Sequence, residues 1–368
     1  MSLAFYRKYR PKKFADIFGQ ENVVEVLKNA AAADRLGHAY LFYGPRGTGK
    51  TTIARLLAKL ANCERRCLDA AFRKTGEPCN TCKPCQEIDA GRGIDVVEID
   101  AASNTGVDEI RELKEGIRLS PSSYRYKVII LDEVHMLSKS AFNALLKTLE
   151  EPPAHAILIL ATTEYDKVPA TITSRTQRFH FKKLALNQIV EKLQMMVKNE
   201  KLNVTPDALE FIAALGEGSF RDAESLLDQI TSLKDEVDLT TVEKNLGKVG
   251  FIRTAELASH ILKPNLKAAL AYISELNELG YNLVDLNKEL IHYFRRVLTL
   301  KYNPELETDF KKELTGKELD TIKAHVALFD PTKHLKLIKD LIRAYSEMRY
   351  SPFASIPLEI ALIENLKS

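Results

Sequence analysis

The chain has 368 residues, 45% of them hydrophobic and 28% charged, and its 53 Lys and Arg against 50 Asp and Glu leave a formal net charge of +3. That length predicts two or three domains, each able to bury a core of its own. No apolar run approaches the roughly 20 residues of a membrane span, which argues against a membrane partner, and so small a net charge leaves any nucleic-acid contact to local patches.

The N-terminal arm, MSLAFYRKYRPKK, carries five basic residues and no acidic one. It lacks the apolar stretch and small-residue cleavage site of a leader, which predicts a cytoplasmic protein. From about residue 38 to 182, HAYLFY, DVVEID, KVIILD, AILILAT and RFHF alternate with helical patterns. This alternation predicts an α/β domain with a mainly parallel sheet. Between the third and fourth strands, Phe142, Leu145, Leu146 and Leu149 recur at helical spacing until Pro152 and Pro153 end the pattern. After about residue 184 no further strands are predicted. NQIVEKLQMMVKNEKL, TPDALEFIAALG and SFRDAESLLDQITSL read as amphipathic helices, with a fourth near TTVEKNLG. The two glycines of GKVG, residues 247–250, predict a hinge. Beyond it the pattern is helical again, as in Ile338, Leu341, Ile342 and Tyr345. The expected division is 1–182, 183–247 and 248–368.

GPRGTGKT places Gly44, Pro45, Arg46, Gly47, Thr48, Gly49, Lys50 and Thr51 in a phosphate-loop pattern after a predicted strand and before a predicted helix. The glycines let the backbone curl so that its amides face phosphate oxygens, and the helix start adds partial positive charge. Lys50 is expected on the β- and γ-phosphates of ATP and Thr51 on Mg2+. VIILDEVH ends an apolar strand in Asp132 and Glu133. Asp132 is expected near the Mg2+, and Glu133 is expected to orient or deprotonate the attacking water.

Five cysteines occur in the chain, and three of them, Cys79, Cys82 and Cys85, stand three apart in EPCNTCKPCQ. In a reducing compartment such spacing favours a metal over disulfides, with a redox pair as the alternative. Arg65, Arg66, Arg73, Lys74 and Lys83 nearby are read as a solvated face rather than as the counter-charge of a metal site.

The phosphate loop, LDEVH, LATTE, TSRTQRF and GSFRDAESLLDQ occur in the order seen in AAA+ clamp-loader ATPases. In detail, YRKYRPKKFADIFGQ, VVEIDAASNTGVDEIREL and HMLSKSAFNALLKTLEEPP resemble the gamma/tau family of bacterial DNA polymerase III subunits. The resemblance covers roughly residues 3–230. It implies an AAA+ domain over 1–182 with a zinc-binding insertion at about 63–86, a helical lid over 183–247 and an all-α collar over 248–368. It implies Thr163 as a γ-phosphate sensor, Arg221 as the lid sensor and Arg175 as an arginine finger. Tyr6, Arg7, Arg10 and Pro11 would strap across the adenine side of the nucleotide. Zn2+ would be held by Cys79, Cys82 and Cys85 in a closed, structural site, with Cys63, at the family's position, as the favoured fourth ligand and Cys67, a further thiol in the same neighbourhood, as the alternative.

The resemblance further implies an ATP-hydrolysing subunit that loads a sliding clamp onto primed DNA, assembled with delta and delta-prime subunits and further copies of itself. A non-hydrolysing scaffold subunit and a branch-migration motor are the alternatives. Ser103, Asn104, Thr105 and Lys139 are the expected DNA contacts, although relatives carry basic residues where Asn104 and Gly106 stand. Tau forms continue into further regions, so the chain is expected to be a shorter gamma form or a truncated tau.

Overall fold

The computed structural model describes residues 3–103, 107–233, 236–311 and 314–367. Five strands form one wholly parallel sheet: β1 (Ala39–Tyr43), β2 (Val96–Asp100), β3 (Lys127–Asp132), β4 (Ala156–Thr162) and β5 (Gln177–His180), in the order β2-β3-β4-β1-β5. Every residue of β4 is buried, while edge strands β2 and β5 are largely exposed or half-buried. A parallel sheet covered on both faces requires such continuous apolar runs in its middle strands.

Strand residues alternate between the two faces. Tyr40, Phe42, Val128, Ile130, Ile157 and Ile159 share one core with Leu27 of helix α2 (Glu21–Ala32) and Ile53 and Leu57 of α3 (Lys50–Asn62). α1 (Phe5–Lys8) precedes these two in the chain. Leu41, Ile129, Leu131, Leu158 and Leu160 form the opposite core with Phe142 and Leu145.

Between α3 and β2 the chain makes three short helices, α4 (Glu64–Leu68), α5 (Ala70–Arg73) and α6 (Lys83–Asp89). This insertion is anchored by charge. Lys59 Nζ, on a residue with no exposed surface, donates to both carboxylate oxygens of Asp89, at 2.8 and 2.9 Å, and to Lys12 O at 3.1 Å. On the other side of the sheet lie α7 (Val107–Arg118), α8 (Lys139–Glu150) and α9 (Ala170–Thr173). α8 is capped by Ser138 and buries Phe142, Leu145 and Leu149, as its periodicity predicts.

The chain divides into two compact units, one of Met1–Leu184 with Gly218–Ser225, the other of Ala185–Glu217 with Leu226–Ser368. Within the second, α10 (Leu186–Glu200), α11 (Pro206–Leu215), the later part of α12 (Phe220–Thr231) and α13 (Leu239–Leu246) lead into α14 (Phe251–Leu262), α15 (Leu266–Glu278) and α16 (Leu283–Tyr302). Four more follow: α17 (Glu307–Phe310), α18 (Gly316–Leu328), α19 (Pro331–Met348) and α20 (Ser355–Leu366). Their core includes Leu257, Ile273, Leu290, Phe294, Leu341 and Leu362.

One expectation for this unit changes. Strands do not vanish after residue 184, because β6 (Asn203–Val204) pairs in parallel with β7 (Glu236–Val237); two-residue strands are too short to show alternation. At the GKVG segment a buried carboxylate gathers three donors. The carboxylate of Glu243, 1% exposed, accepts from Gly250 N at 3.1 Å, Arg253 Nε at 2.7 Å and Tyr281 Oη at 3.0 Å.

Candidate functional site

The phosphate loop runs from the carboxyl end of β1 to the first turn of α3, where ligands bind in open α/β sheets. Its glycines are required by geometry. Gly44 has φ 143°, and a Cβ there would lie 2.1 Å from Phe181 O; at Gly47, φ 71°, it would lie 1.7 Å from Ser219 Oγ. Gly49, φ 101°, starts α3 in a left-handed conformation.

Lys50 is buried, and its Nζ donates to Gly44 O and Pro45 O, both at 2.8 Å. Burial pulls its pKa down, opposed by the carboxylates of Glu133 and Asp132. Thr48 is also buried, its hydroxyl donating to Pro45 O, while Arg46 is exposed. Thr51 Oγ1 donates to Asp132 Oδ2 at 2.7 Å, joining the start of α3 to the end of β3.

Glu133 follows with φ 49° and ψ 44°. A left-handed carboxylate residue costs on the order of 1–3 kcal/mol and is typical of functional sites. Its Oε2 accepts from Thr163 N at 3.2 Å and Thr163 Oγ1 at 2.9 Å. His135, a residue the sequence reading did not single out, completes the cluster. Its Nδ1 lies 3.0 Å from Thr162 Oγ1 and 3.3 Å from Glu133 Oε2, and its Nε2 lies 3.2 Å from Glu164 Oε1.

The start of α12 meets the loop through Phe220 N, which donates to Gly47 O at 3.2 Å. Arg221 stacks over the Tyr6 ring at 5.2 Å, and Arg7 Nε donates to Tyr6 Oη at 3.1 Å. Burial lowers the Arg10 pKa, helped by the positive charges of Arg55, Arg221 and Arg7 and opposed by Glu98. Tyr6, Arg10 and Arg221 thus converge, with Pro11 half-buried beside them in sequence. Arg175 lies elsewhere on the surface, paired with Glu150 at 2.7 Å and donating to Thr171 O at 2.8 Å. Ser103 and Lys139 are exposed; Asn104, Thr105 and Gly106 lie outside the described residues.

At the far end of α3, the sulfurs of Cys63, Cys79, Cys82 and Cys85 all lie within 4.8 Å of one another. Backbone amides point at them: Cys79 N at Cys63 Sγ (3.4 Å) and Cys82 N at Cys79 Sγ (3.2 Å). The turn that allows this passes through Asn80 at φ 59°. The hydrogen bond from the Cys85 thiol pulls the Cys63 thiol down, and the same bond pushes Cys85 up. A tetrahedral thiolate site with Zn–S bonds of about 2.3 Å has sulfur–sulfur edges of about 3.8 Å, so this donor set fits a thiophilic dication with little movement. Cys67 stands apart, exposed, with Arg125 Nη1 3.8 Å from its sulfur.

The solvated basic face needs correction at Arg66, which is only 4% exposed. Its Nη1 and Nη2 donate to Leu60 O at 2.5 Å and Ala31 O at 2.6 Å, satisfying carbonyls at the ends of α3 and α2. Its guanidinium also interacts electrostatically with Cys63.

Residues 19–185 match the family model described as DNA polymerase III, delta subunit, and residues 188–233 match the DNA polymerase III clamp loader subunit, ATPase lid domain. The DNA polymerase III subunit gamma of Buchnera aphidicola (subsp. Schizaphis graminum) is 35% identical over 359 residues, covering 97% of this chain and 96% of that protein. The chain belongs to the gamma/tau subunit family of bacterial DNA polymerase III. Subunit tau of Bacillus subtilis is 43% identical and that of Escherichia coli 39%, each over 98% of this chain. The chain spans 62% and 54% of the lengths of those two tau subunits. Its sheet with flanking helices and helix-rich C-terminal region has the AAA+ clamp-loader architecture, a fold that implies a nucleotide and Mg2+. Among the described residues no helix is long and apolar enough to cross a membrane.

Proposed function

We propose that this gamma/tau chain is an ATP-hydrolysing clamp-loader subunit that uses ATP to load a sliding clamp onto primed DNA. The observation that carries the reading is the 2.7 Å bond from Thr51 to Asp132, with Glu133 held beside it by Thr163 and Lys50 behind. These contacts are the ones a nucleotide would replace. Lys50, whose Nζ donates to Gly44 O and Pro45 O, would bind the β- and γ-phosphates, and Thr51 and Asp132 would hold Mg2+. Bound Mg2+ supplies charge neutralisation between the phosphates. Glu133 orients the attacking water and accepts its proton, while Thr163 fixes the carboxylate. The amides of Gly44 to Gly49 cradle the phosphates.

Tyr6, Arg7, Arg10 and Pro11 close over the adenine side, and Arg221 reports the nucleotide to the lid. The functional division is 1–182, 183–247 and 248–368. Cys63, Cys79, Cys82 and Cys85 hold Zn2+ structurally, since four thiolates leave no open position for substrate. The protein works in the cytoplasm with delta and delta-prime subunits, further copies of itself, the sliding clamp and primed DNA.

Arg175 acts in trans. Its ion pair with Glu150 leaves the guanidinium on the surface, 36% exposed at the side chain, available to the γ-phosphate of a neighbouring subunit. Mixed assemblies test this: an Arg175→Ala subunit damages turnover at its neighbour's site and spares its own. A defect confined to the mutated subunit contradicts action in trans. ATP turnover stimulated jointly by clamp and primed DNA tests the reading as a whole, and its absence from an assembled loader defeats it.

A further inference from the structure

A cleft with about 40 Å³ of free volume opens at the C-terminal end of α3, lined in part by Asp34, Leu60, Arg66, Cys67, Arg73 and Arg125. Three guanidiniums meet one carboxylate there. Arg73 and Arg125 both face Asp34 Oδ2, at 3.6 and 3.8 Å. Those distances are too long for hydrogen bonds, so one carboxylate screens two cations without satisfying the donors of either. Arg66 is nine-tenths buried or more, and its Nε has no hydrogen-bond partner. Three cations less one carboxylate leave the lining at +2.

The carbonyls of Leu60 and Ala31, which would repel an anion here, are already engaged by Arg66. What remains is rich in fixed donors and poor in acceptors. Guanidinium forks match the paired oxygens of a phosphate, in charge and in planar geometry. We propose that this cleft is a second anion site of the chain, binding a phosphate-class oxyanion between Arg73 and Arg125 over the buried Arg66. The site is independent of nucleotide turnover, because it lies at the opposite end of α3 from the phosphate loop. The phosphate comes either from a free anion or from a nucleic-acid phosphodiester.

Cys67, exposed on the cleft wall, is the reporter. The full chain, with its phosphate loop saturated by ADP and Mg2+, is alkylated with iodoacetamide, and modification of Cys67 is followed by peptide mass spectrometry. Inorganic phosphate at about ten times its dissociation constant slows Cys67 alkylation by about tenfold. A short single-stranded oligonucleotide without terminal phosphates separates the sources: protection by both probes identifies a phosphodiester site, and protection by phosphate alone identifies a free-anion site. In an Arg73→Gln, Arg125→Gln double variant, the ratio of the rate with phosphate to the rate without it rises from about one tenth to one. An equal slowing by chloride at matched ionic strength, or protection that survives in the double variant, overturns the proposal, as does an unchanged rate in the unaltered chain.

Discussion

The two ends of one helix do opposite work. α3 begins at Lys50, inside the phosphate loop, and ends at Asn62, where Cys63 caps it. At the N-terminal end the amides and the helix dipole favour anions, and the polar groups hold one another through bonds a ligand can replace: Lys50 to two carbonyls, Thr51 to Asp132, Glu133 to Thr163. At the C-terminal end the donors face each other. Four sulfurs lie within 4.8 Å of one another, and the Arg66 guanidinium donates to the carbonyl of Leu60. An open site with exchangeable partners suits turnover; a closed one suits structure. The 13 residues of α3, about 20 Å of helix, would let the proposed metal module share an element with the proposed nucleotide site without sharing its chemistry.

The largest effect expected from breaking this contrast is at Lys50. Lys50→Ala removes the only buried cation of the loop and lowers ATP turnover of the assembled loader by about a thousandfold or more, with circular dichroism unchanged. Near-normal turnover would detach the loop from the chemistry. Glu133→Gln comes next. The amide keeps the contacts to Thr163 but accepts no proton, so hydrolysis falls by about a hundredfold while nucleotide affinity, measured by a fluorescent analogue, is retained. Loss of binding instead would make Glu133 a structural residue.

At the closed end, Cys63→Ser loses zinc in elemental analysis and lowers the melting temperature, whereas Cys67→Ser keeps one zinc per chain. The reverse pattern would displace Cys63 from the ligand set. The smallest effect is expected at Arg66. Arg66→Met leaves the carbonyls of Leu60 and Ala31 without donors, costing about 1–3 kcal/mol in denaturant unfolding with zinc content unaltered. A loss of metal in that variant would mean that the guanidinium stabilises the thiolates themselves.

Much of this was legible where function is written in consecutive residues. The loop and the pair Asp132–Glu133 are contiguous, and strands β3 and β4 lie where KVIILD and AILILAT place them. What required three dimensions was assembled from distant segments. Nothing local distinguishes Cys63 from Cys67; the turn of the chain at the end of α3 points one sulfur inward and leaves the other on the surface. His135 reads as an ordinary residue until the end of β4 brings Thr162 and Glu164 to its ring. Arg66 belongs to a basic run and yet is buried, because two helix ends happen to need its donors. The Tyr6–Arg221 contact joins residues more than half the chain apart.

The contrast between the two ends of α3 is tested most directly by exchanging the metal. Zinc is replaced by cadmium or cobalt through thiolate exchange, replacement is confirmed by the sulfur-to-metal absorption bands, and clamp- and DNA-stimulated ATP turnover is measured on the same sample. A closed structural site predicts kcat and KM indistinguishable from those of the zinc form, because no ligand position on the metal reaches substrate. A kcat that changes with the identity of the metal, in protein that remains folded, would contradict the account.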